Sequence, residues 1–450
     1  MKRTLITIFA AVPALLCAGA CTDFLYQGEV DLTPVEEEFE YPADYEFNHP
    51  CAYICSDDID RVKAAVAEAD GTDPVYVSWL QLCSNQYAQA SYTPNPQEIL
   101  VRGDATGTGV SGENYINACR DAAAAIQLGI RYLVSGETQY ADAAVNILNS
   151  WADVCTTITA NDNNQYLLAG FQGYQFANAA ELLRDYEGWS ETDQNDFRNW
   201  LLNVWYEKNR WFMENHGGDG VCDLHYWSNW ELANMASILA IGIYTENVEM
   251  VNFVYMNFRE GEGSGALDNM IPYEPVSDPE GNTPLIAQCM ESGRDQGHAT
   301  LVSSMCAELC QMAWNLGIDF YGMEDNKVLS MFEYTAKYNV TPFTASIMPF
   351  TQYEYCPDGC GCSGGRGATH TEVSADDRGT ERPCWEMIYA HYSQRNLASS
   401  AYYTKLFAEQ LRYTDGTLTG DGGAGVSRYG SNSSAFDQIG WGTLLFYQGE

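Results

Sequence analysis

The sequence predicts an all-α fold of stacked antiparallel helical hairpins, closed into a ring or packed as a bundle. Apolar residues recur at three- and four-residue spacing in about twelve segments between residues 58 and 411. Strand-like alternation is scarce over the same span. Of 450 residues, 46% are apolar and 13% aromatic, including 11 Trp, 30 Tyr and 17 Phe. That content supplies a large core and argues against disorder, despite a formal charge of −39.

The elements follow in order. Met1, Lys2 and Arg3 are basic, residues 5–16 are apolar, and Ala18, Gly19 and Ala20 are small, so residues 1–20 read as an export signal. Cys21 follows as a candidate for lipid attachment, with plain cleavage after Ala20 as the alternative. Export places the chain in the periplasm, on the cell surface or outside the cell. Residues 21–50 form an acidic, aromatic leader containing Glu36, Glu37 and Glu38, and residues 51–450 form one domain with no clean linker.

Candidate helices span 58–70, 76–90, 113–134, 138–156, 168–187, 191–212, 228–244, 247–258, 294–316, 323–338, 384–396 and 399–411. They make roughly six hairpins. In the ninth, Leu301, Met305, Leu309 and Met312 form one stripe, and Ser292 with Asp295 resembles a capping box at its start. Two long irregular regions, 259–292 and 340–383, are of a length usually reserved for function. No internal apolar run of 18 residues occurs.

Sixty-one acids against 22 cations exclude a nucleic-acid binder, which needs a basic footprint. Fifteen Cys become fourteen without Cys17, and thirteen if Cys21 is lipidated, an odd number that forbids complete pairing. Cys356, Cys360 and Cys362 are closely spaced. They read as a local disulfide in a Gly-rich loop, or as metal ligands with Cys384 or His370 as the fourth. No metal or other cofactor is expected. Asp376 and Asp377 offer calcium only an unsupported pair, and Asn339 and Asn432 open glycosylation sequons.

Five of the six His fall between 216 and 391. Histidine is the usual proton-transfer group near neutral pH. Three constellations contain them. In the first, His225 and Asn229 lie one helical turn apart, with Tyr226, Trp227 and Trp230 around them, which suits a sugar cleft. The bland alternative is capping by Ser228 or Asn229 with ordinary tryptophan packing. In the second, Arg294 offers a fork of donors matched to a carboxylate, and His298 stands one turn away. Its alternative is an Arg294–Asp295 surface network with His298 under a loop. The third gathers Arg366, His370, Arg378 and Arg382 with Trp385 and Glu386, a local excess of arginine in an anionic chain.

Several stretches resemble the alginate lyase superfamily of polysaccharide lyases. They are Ser228-Asn-Trp-Glu-Leu232, Cys289-Met-Glu-Ser-Gly-Arg-Asp-Gln-Gly-His298, Ala313-Trp-Asn-Leu-Gly-Ile-Asp-Phe-Tyr-Gly322 and Phe332-Glu-Tyr-Thr-Ala-Lys-Tyr-Asn339. Arg382-Pro-x-Trp-Glu-Met-Ile-Tyr-x-His391 and Gly440-Trp-Gly-Thr-Leu-Leu-Phe446 also fit. The resemblance implies an incomplete (α/α) toroid of about six to seven hairpins. It also implies β-elimination on a uronic-acid polysaccharide of alginate or glucuronan type. A uronate C5 proton is weakly acidic, so donors must neutralise the carboxylate while a base and an acid move protons. Asn229 and Arg294 match the neutralising pair, and His298 is the proton-transfer candidate with His225 assisting. Trp230, Tyr226, Tyr338, Arg378 and Arg382 are candidates for substrate binding. The sequence departs from some relatives in placing Trp230, not His, after Asn229, and in lacking Tyr at 299–302.

Two other readings fit the same toroid: a glycoside hydrolase using two carboxylates, and a glycan-binding lipoprotein without catalysis. The expected partner is an anionic polysaccharide or oligosaccharide, with no obligate protein partner. The lyase reading makes one further demand. Arg294, Arg366, Arg378 and Arg382 must converge on one cleft, because so acidic a protein otherwise repels a polyanion within the screening length of about 10 Å at 0.1 M salt.

Overall fold

A computed structural model describes residues 41–42, 44–216, 224–343, 347–355 and 368–449. The helices α1 (Ser56–Glu68), α2 (Pro74–Ser84), α3 (Ile116–Ser135), α4 (Thr138–Val154) and α5 (Asn164–Leu182) are followed by α6 (Glu191–Trp200) and α7 (Glu207–Asn215). Next come α8 (Ser228–Tyr244), α9 (Val248–Glu260), the short α10 (Leu267–Met270), α11 (Gln296–Asn315) and α12 (Met323–Asn339). The chain closes with α13 (Trp385–Gln394), α14 (Tyr402–Arg412) and the short α15 (Gly442–Leu445). Each segment predicted as a helix is met by one of these. The expected 191–212 helix is broken into α6 and α7 by a π-helical stretch at Leu201–Tyr206. Four two-stranded ribbons decorate the loops: β1 (Ile99–Val101) with β2 (Thr157–Thr159) in parallel, and β3 (Val276–Ser277) with β4 (Leu285–Ile286), β5 (Tyr353–Tyr355) with β6 (Ala368–His370), and β7 (Tyr413–Thr414) with β8 (Thr417–Leu418) antiparallel.

Composition sorts the helices into two layers. In α5 every residue from Tyr166 to Leu182 is buried, and in α8 all but Trp230 are buried. A helix apolar all round must be enclosed on all sides. In α9, by contrast, only Met250, Val251, Val254, Tyr255 and Phe258 are buried, one stripe at helical spacing. Burial and helix contacts together place α3, α5, α8, α11 and α13 in an inner layer and α4, α6, α7, α9 and α14 outside, while α12, although it follows an inner helix in the chain, is also enclosed, buried from Lys327 to Asn339. This is an (α/α) toroid.

The inner helices run in one direction. Gly170 and Gly173 of α5 pack on Ala233 and Ser237 of α8 in ascending register. A Cβ at Gly170 would stand 2.8 Å from the Ala233 Cβ, so these glycines set how closely the two helices approach. Overpacking of this kind costs about 1–3 kcal/mol. The segments leading into the inner helices also touch in sequence. β1 pairs with β2, the Asn163 amide meets the Tyr226 hydroxyl at 2.5 Å, and Asn229 meets Glu291 at 2.8 Å. Gln296 N donates to the Asp376 carbonyl at 2.8 Å. The entrances of these inner helices therefore gather at one end.

Residues Tyr41 to Glu450 form one compact unit. Tyr41 and His49, expected in the leader, are held on it. Tyr41 N donates to Asn252 at 2.9 Å, and His49 Nδ1 lies 2.6 Å from Glu181. Residues 1–40, with the expected signal, Cys17 and Cys21, lie outside the described residues, as do Cys356, Cys360, Cys362 and Arg366. No described helix is long and apolar enough to cross a membrane.

Candidate active site

The start of α11 builds the centre of the site. Asp295, in extended backbone at φ −166°, is the N-cap, and its carboxylate accepts from His298 N at 2.8 Å. The capping box expected from Ser292 does not form, because the Ser292 hydroxyl accepts from Cys289 N at 3.0 Å and closes the preceding turn. The same Asp295 carboxylate lies 2.7 Å from His298 Nδ1. Burial raises the Asp295 pKa, but the His298 hydrogen bonds and the Arg294 charge outweigh it and leave it lowered.

Arg294 precedes the helix, yet its side chain folds back over it. Nη1 donates to Glu291 Oε2 at 2.9 Å, Nη2 lies 3.0 Å from His298 Nε2, and Nε is 3.5 Å from Asp295. Glu291 is fully buried, and its other oxygen accepts from both the backbone N and the side-chain amide of Asn229, at 3.1 and 2.8 Å. Asn229, Glu291, Arg294, His298 and Asp295 are thus one hydrogen-bonded chain, joining the entrance of α8 to that of α11. A guanidinium has only donors. His298 Nε2 therefore carries the lone pair, and the Nδ1 proton goes to Asp295.

Arg294 also lies 4.9 Å from the centre of the Trp227 ring, which stacks on Tyr355 at 3.7 Å and 10°. The Tyr355 hydroxyl donates to the His225 carbonyl. Beside this cluster opens a cavity of about 900 Å³, lined by Gly293, Tyr338, Phe350, His370, Glu372 and Asp376 among others.

A family model described as alginate lyase matches residues 82–345, more than half of the chain. The chain belongs to the alginate lyase family. It is accordingly a polysaccharide lyase. Solved structures of similar fold include alginate lyase A1-III from Sphingomonas species A1, at 14% identity and TM-score 0.52 over 89% of this chain and 96% of that one. A variant of alginate lyase A1-III complexed with a tetrasaccharide matches at 14% and 0.53, over 91% and 98%. An alginate lyase from Bacteroides ovatus matches at 14% and 0.52, over 80% and 96%. No curated protein sequence matches the chain.

Within this alginate lyase family member, the expected site residues separate into three groups. Asn229, Arg294 and His298 come together, but not on equal terms. Arg294 and His298 keep 26% and 37% of their side chains exposed, whereas Asn229 is 1% exposed with its donors turned to Glu291. Asn229 is placed to hold Glu291, not to reach a substrate. His225 and Tyr226 are buried, and Tyr226 packs against Trp230, itself half-buried beside Phe212. Trp227, not Trp230, faces Arg294.

The third group is Tyr338, Arg378 and Arg382. Tyr338 lines the cavity, with the Arg378 guanidinium over its ring at 3.9 Å and over Phe343 at 4.4 Å. Arg382 corrects the expectation of a substrate-binding residue. It is 7% exposed, its guanidinium bridges Asp437, Gln438 and the Gly297 carbonyl, and it ties the tail to α11. Of the four arginines expected to converge, Arg294 stands at the entrance of α11, Arg378 stacks on the cavity-lining Tyr338, Arg382 is turned to the tail, and Arg366 lies outside the described residues. A second Asn-His sequence, Asn215 and His216, closes α7, where His216 contacts Glu231 at 2.7 Å.

Sequence reasoning missed Glu291, Trp227, Tyr355 and His370 as parts of one site. The i, i+3 spacings Glu291–Arg294 and Asp295–His298 were visible, but acids are too abundant here to single out. Far from the site, His49, Cys51 and Glu181 bring three potential metal-ligand atoms within 4.8 Å. Arg184 already pairs with Glu181 at 3.3 Å there and supplies the positive charge.

Proposed function

We propose that the chain cleaves a uronic-acid polysaccharide of alginate or glucuronan type by β-elimination, acting outside the cytoplasm after export. The observation that carries this reading is the Arg294–His298 pair, half open beside the cavity and fixed from behind by Glu291 and Asp295. The substrate carboxylate docks on Arg294, which stabilises the charge that builds as the C5 proton leaves. Drawing Nη2 toward that carboxylate releases the His298 Nε2 lone pair, so His298 becomes competent for proton transfer when substrate is bound. Trp227, stacked on Tyr355 and lying under the Arg294 guanidinium, holds that guanidinium in place for the substrate carboxylate. The tetrasaccharide bound to alginate lyase A1-III supports an oligosaccharide ligand for this toroid.

The test is incubation with alginate, polyglucuronate, hyaluronan and pectate, following near-ultraviolet absorbance of the unsaturated product. Absorbance growth with at least one is expected, and its loss in Arg294→Ala. Saturated reducing-end products would instead identify a hydrolase, and silence on all four would remove the reading.

A further inference from the structure

His370 sits on β6, at the edge of the cavity and next to the residue that precedes Arg294. Its placement is tight. A Cβ at Gly293 would stand 2.5 Å from the His370 Cβ and 2.9 Å from Phe350, so only glycine lets this strand lie against the turn that carries Arg294. The Trp227 ring is 6.0 Å away on the other side.

The two ring nitrogens differ. The ring is hydrogen-bonded to the Gly293 backbone in the sense that favours a protonated ring, so it is the donor and the carbonyl the acceptor. Nε2 has no partner and is buried. The Gly293 bond therefore uses Nδ1, and Nε2 presents a bare lone pair. Burial, reinforced by Arg294 nearby, lowers the His370 pKa and keeps that lone pair free at neutral pH. An unsatisfied buried acceptor costs about 1–3 kcal/mol, and the cost is recovered when a ligand supplies a donor. His298 differs here, since both of its nitrogens are engaged in the free protein.

We infer that His370 is a substrate-binding residue that accepts a hydrogen bond from a sugar hydroxyl of the residue whose carboxylate rests on Arg294. This rests on the uronan-lyase reading and adds a selectivity element to it. Arg294 reads the acid of the sugar, and His370 reads a hydroxyl on the same ring. Sites built around such an acceptor reject analogues that lack the hydroxyl far more strongly than apolar pockets reject a missing methylene.

The experiment compares wild type, His370→Ala and His370→Gln on whichever of the four uronans wild type cleaves, with circular dichroism to confirm folding. Glutamine keeps an acceptor and a donor but cannot act as a base near neutral pH. KM should rise at least tenfold in His370→Ala with kcat within about threefold, and His370→Gln should recover most of the loss. Unchanged KM in the alanine variant overturns the assignment while leaving the lyase reading intact. A fall of a hundredfold or more in kcat for His370→Gln also overturns it, since the ring would then be moving a proton. If wild type cleaves nothing, the lyase reading fails by itself, and calorimetry with alginate and glucuronate oligosaccharides decides His370. Weaker binding in His370→Ala supports the assignment, and equal or absent binding overturns it.

Discussion

Glu291 Oε2 stands 2.9 Å from Arg294 Nη1 while Glu291 Oε1 takes both donors of Asn229. The fully buried carboxylate thus fixes the guanidinium from below and the start of α8 from the side. Glu291→Ala leaves the two buried Asn229 donors without an acceptor, and should destabilise the fold by about 2–3 kcal/mol in urea titrations. Glu291→Gln keeps the shape but turns a donor toward Arg294, and should lower turnover more than stability. A Glu291→Ala stability within about 0.5 kcal/mol of wild type would contradict this.

Asp295 has a pH signature. Its folded-state pKa lies below the ordinary carboxylate value of about 3.9. Its contribution is therefore complete above about pH 4 and disappears as pH falls through the lowered value. Asparagine caps a helix as well as aspartate does. Asp295→Asn should thus be less stable than wild type at pH 7, with the difference closing as pH falls below about 4 in thermal melts. A difference independent of pH would show that the His298 contact is not electrostatic.

Arg382 and Arg294 should separate cleanly. Arg382→Met strands Asp437, whose side chain is 8% exposed, and should cost about 3–5 kcal/mol of stability with KM unchanged. Arg294→Ala should abolish turnover at a smaller cost in stability. Urea titration and initial rates on the same preparations check both.

Glu308, on α11, is buried with one oxygen accepting from Ile439 N at 2.9 Å, and desolvation pushes its pKa up to about 8. Below about pH 4.3 the folded and unfolded states both hold the proton, and no penalty arises. As pH rises toward 8, folding must take up a proton, and stability falls by up to about 1.4 kcal/mol per pH unit. Glu308→Gln should therefore gain on wild type between pH 5 and pH 8. Parallel pH profiles for the two would contradict it.

The fold was legible because the spacing of apolar residues is a local property. Leu301, Met305, Leu309 and Met312 announce α11 without reference to any other helix. Arg294 and His298 were legible for the same reason, being four residues apart. Glu291 as the acceptor for Asn229 was not, since 62 positions separate them and only the meeting of two helix entrances joins them. His370 reaches the site through a ribbon whose register nothing local reveals. Arg378 stacks on Tyr338 while Arg382, four residues on, is tied to Asp437, because partners such as Asp437 arrive from the far end of the chain.

The common direction of the five inner helices bears on the charge of −39. Each helix N-terminus carries about half a positive charge from its aligned peptide dipoles. In an antiparallel hairpin the outer helix brings its C-terminus, with an equal negative charge, to that same rim, and the two largely cancel. Peptide dipoles therefore leave the rim close to neutral. The positive charge that meets a polyanion at the entrance of α11 has to come from the Arg294 side chain, one of only 22 cations in the chain.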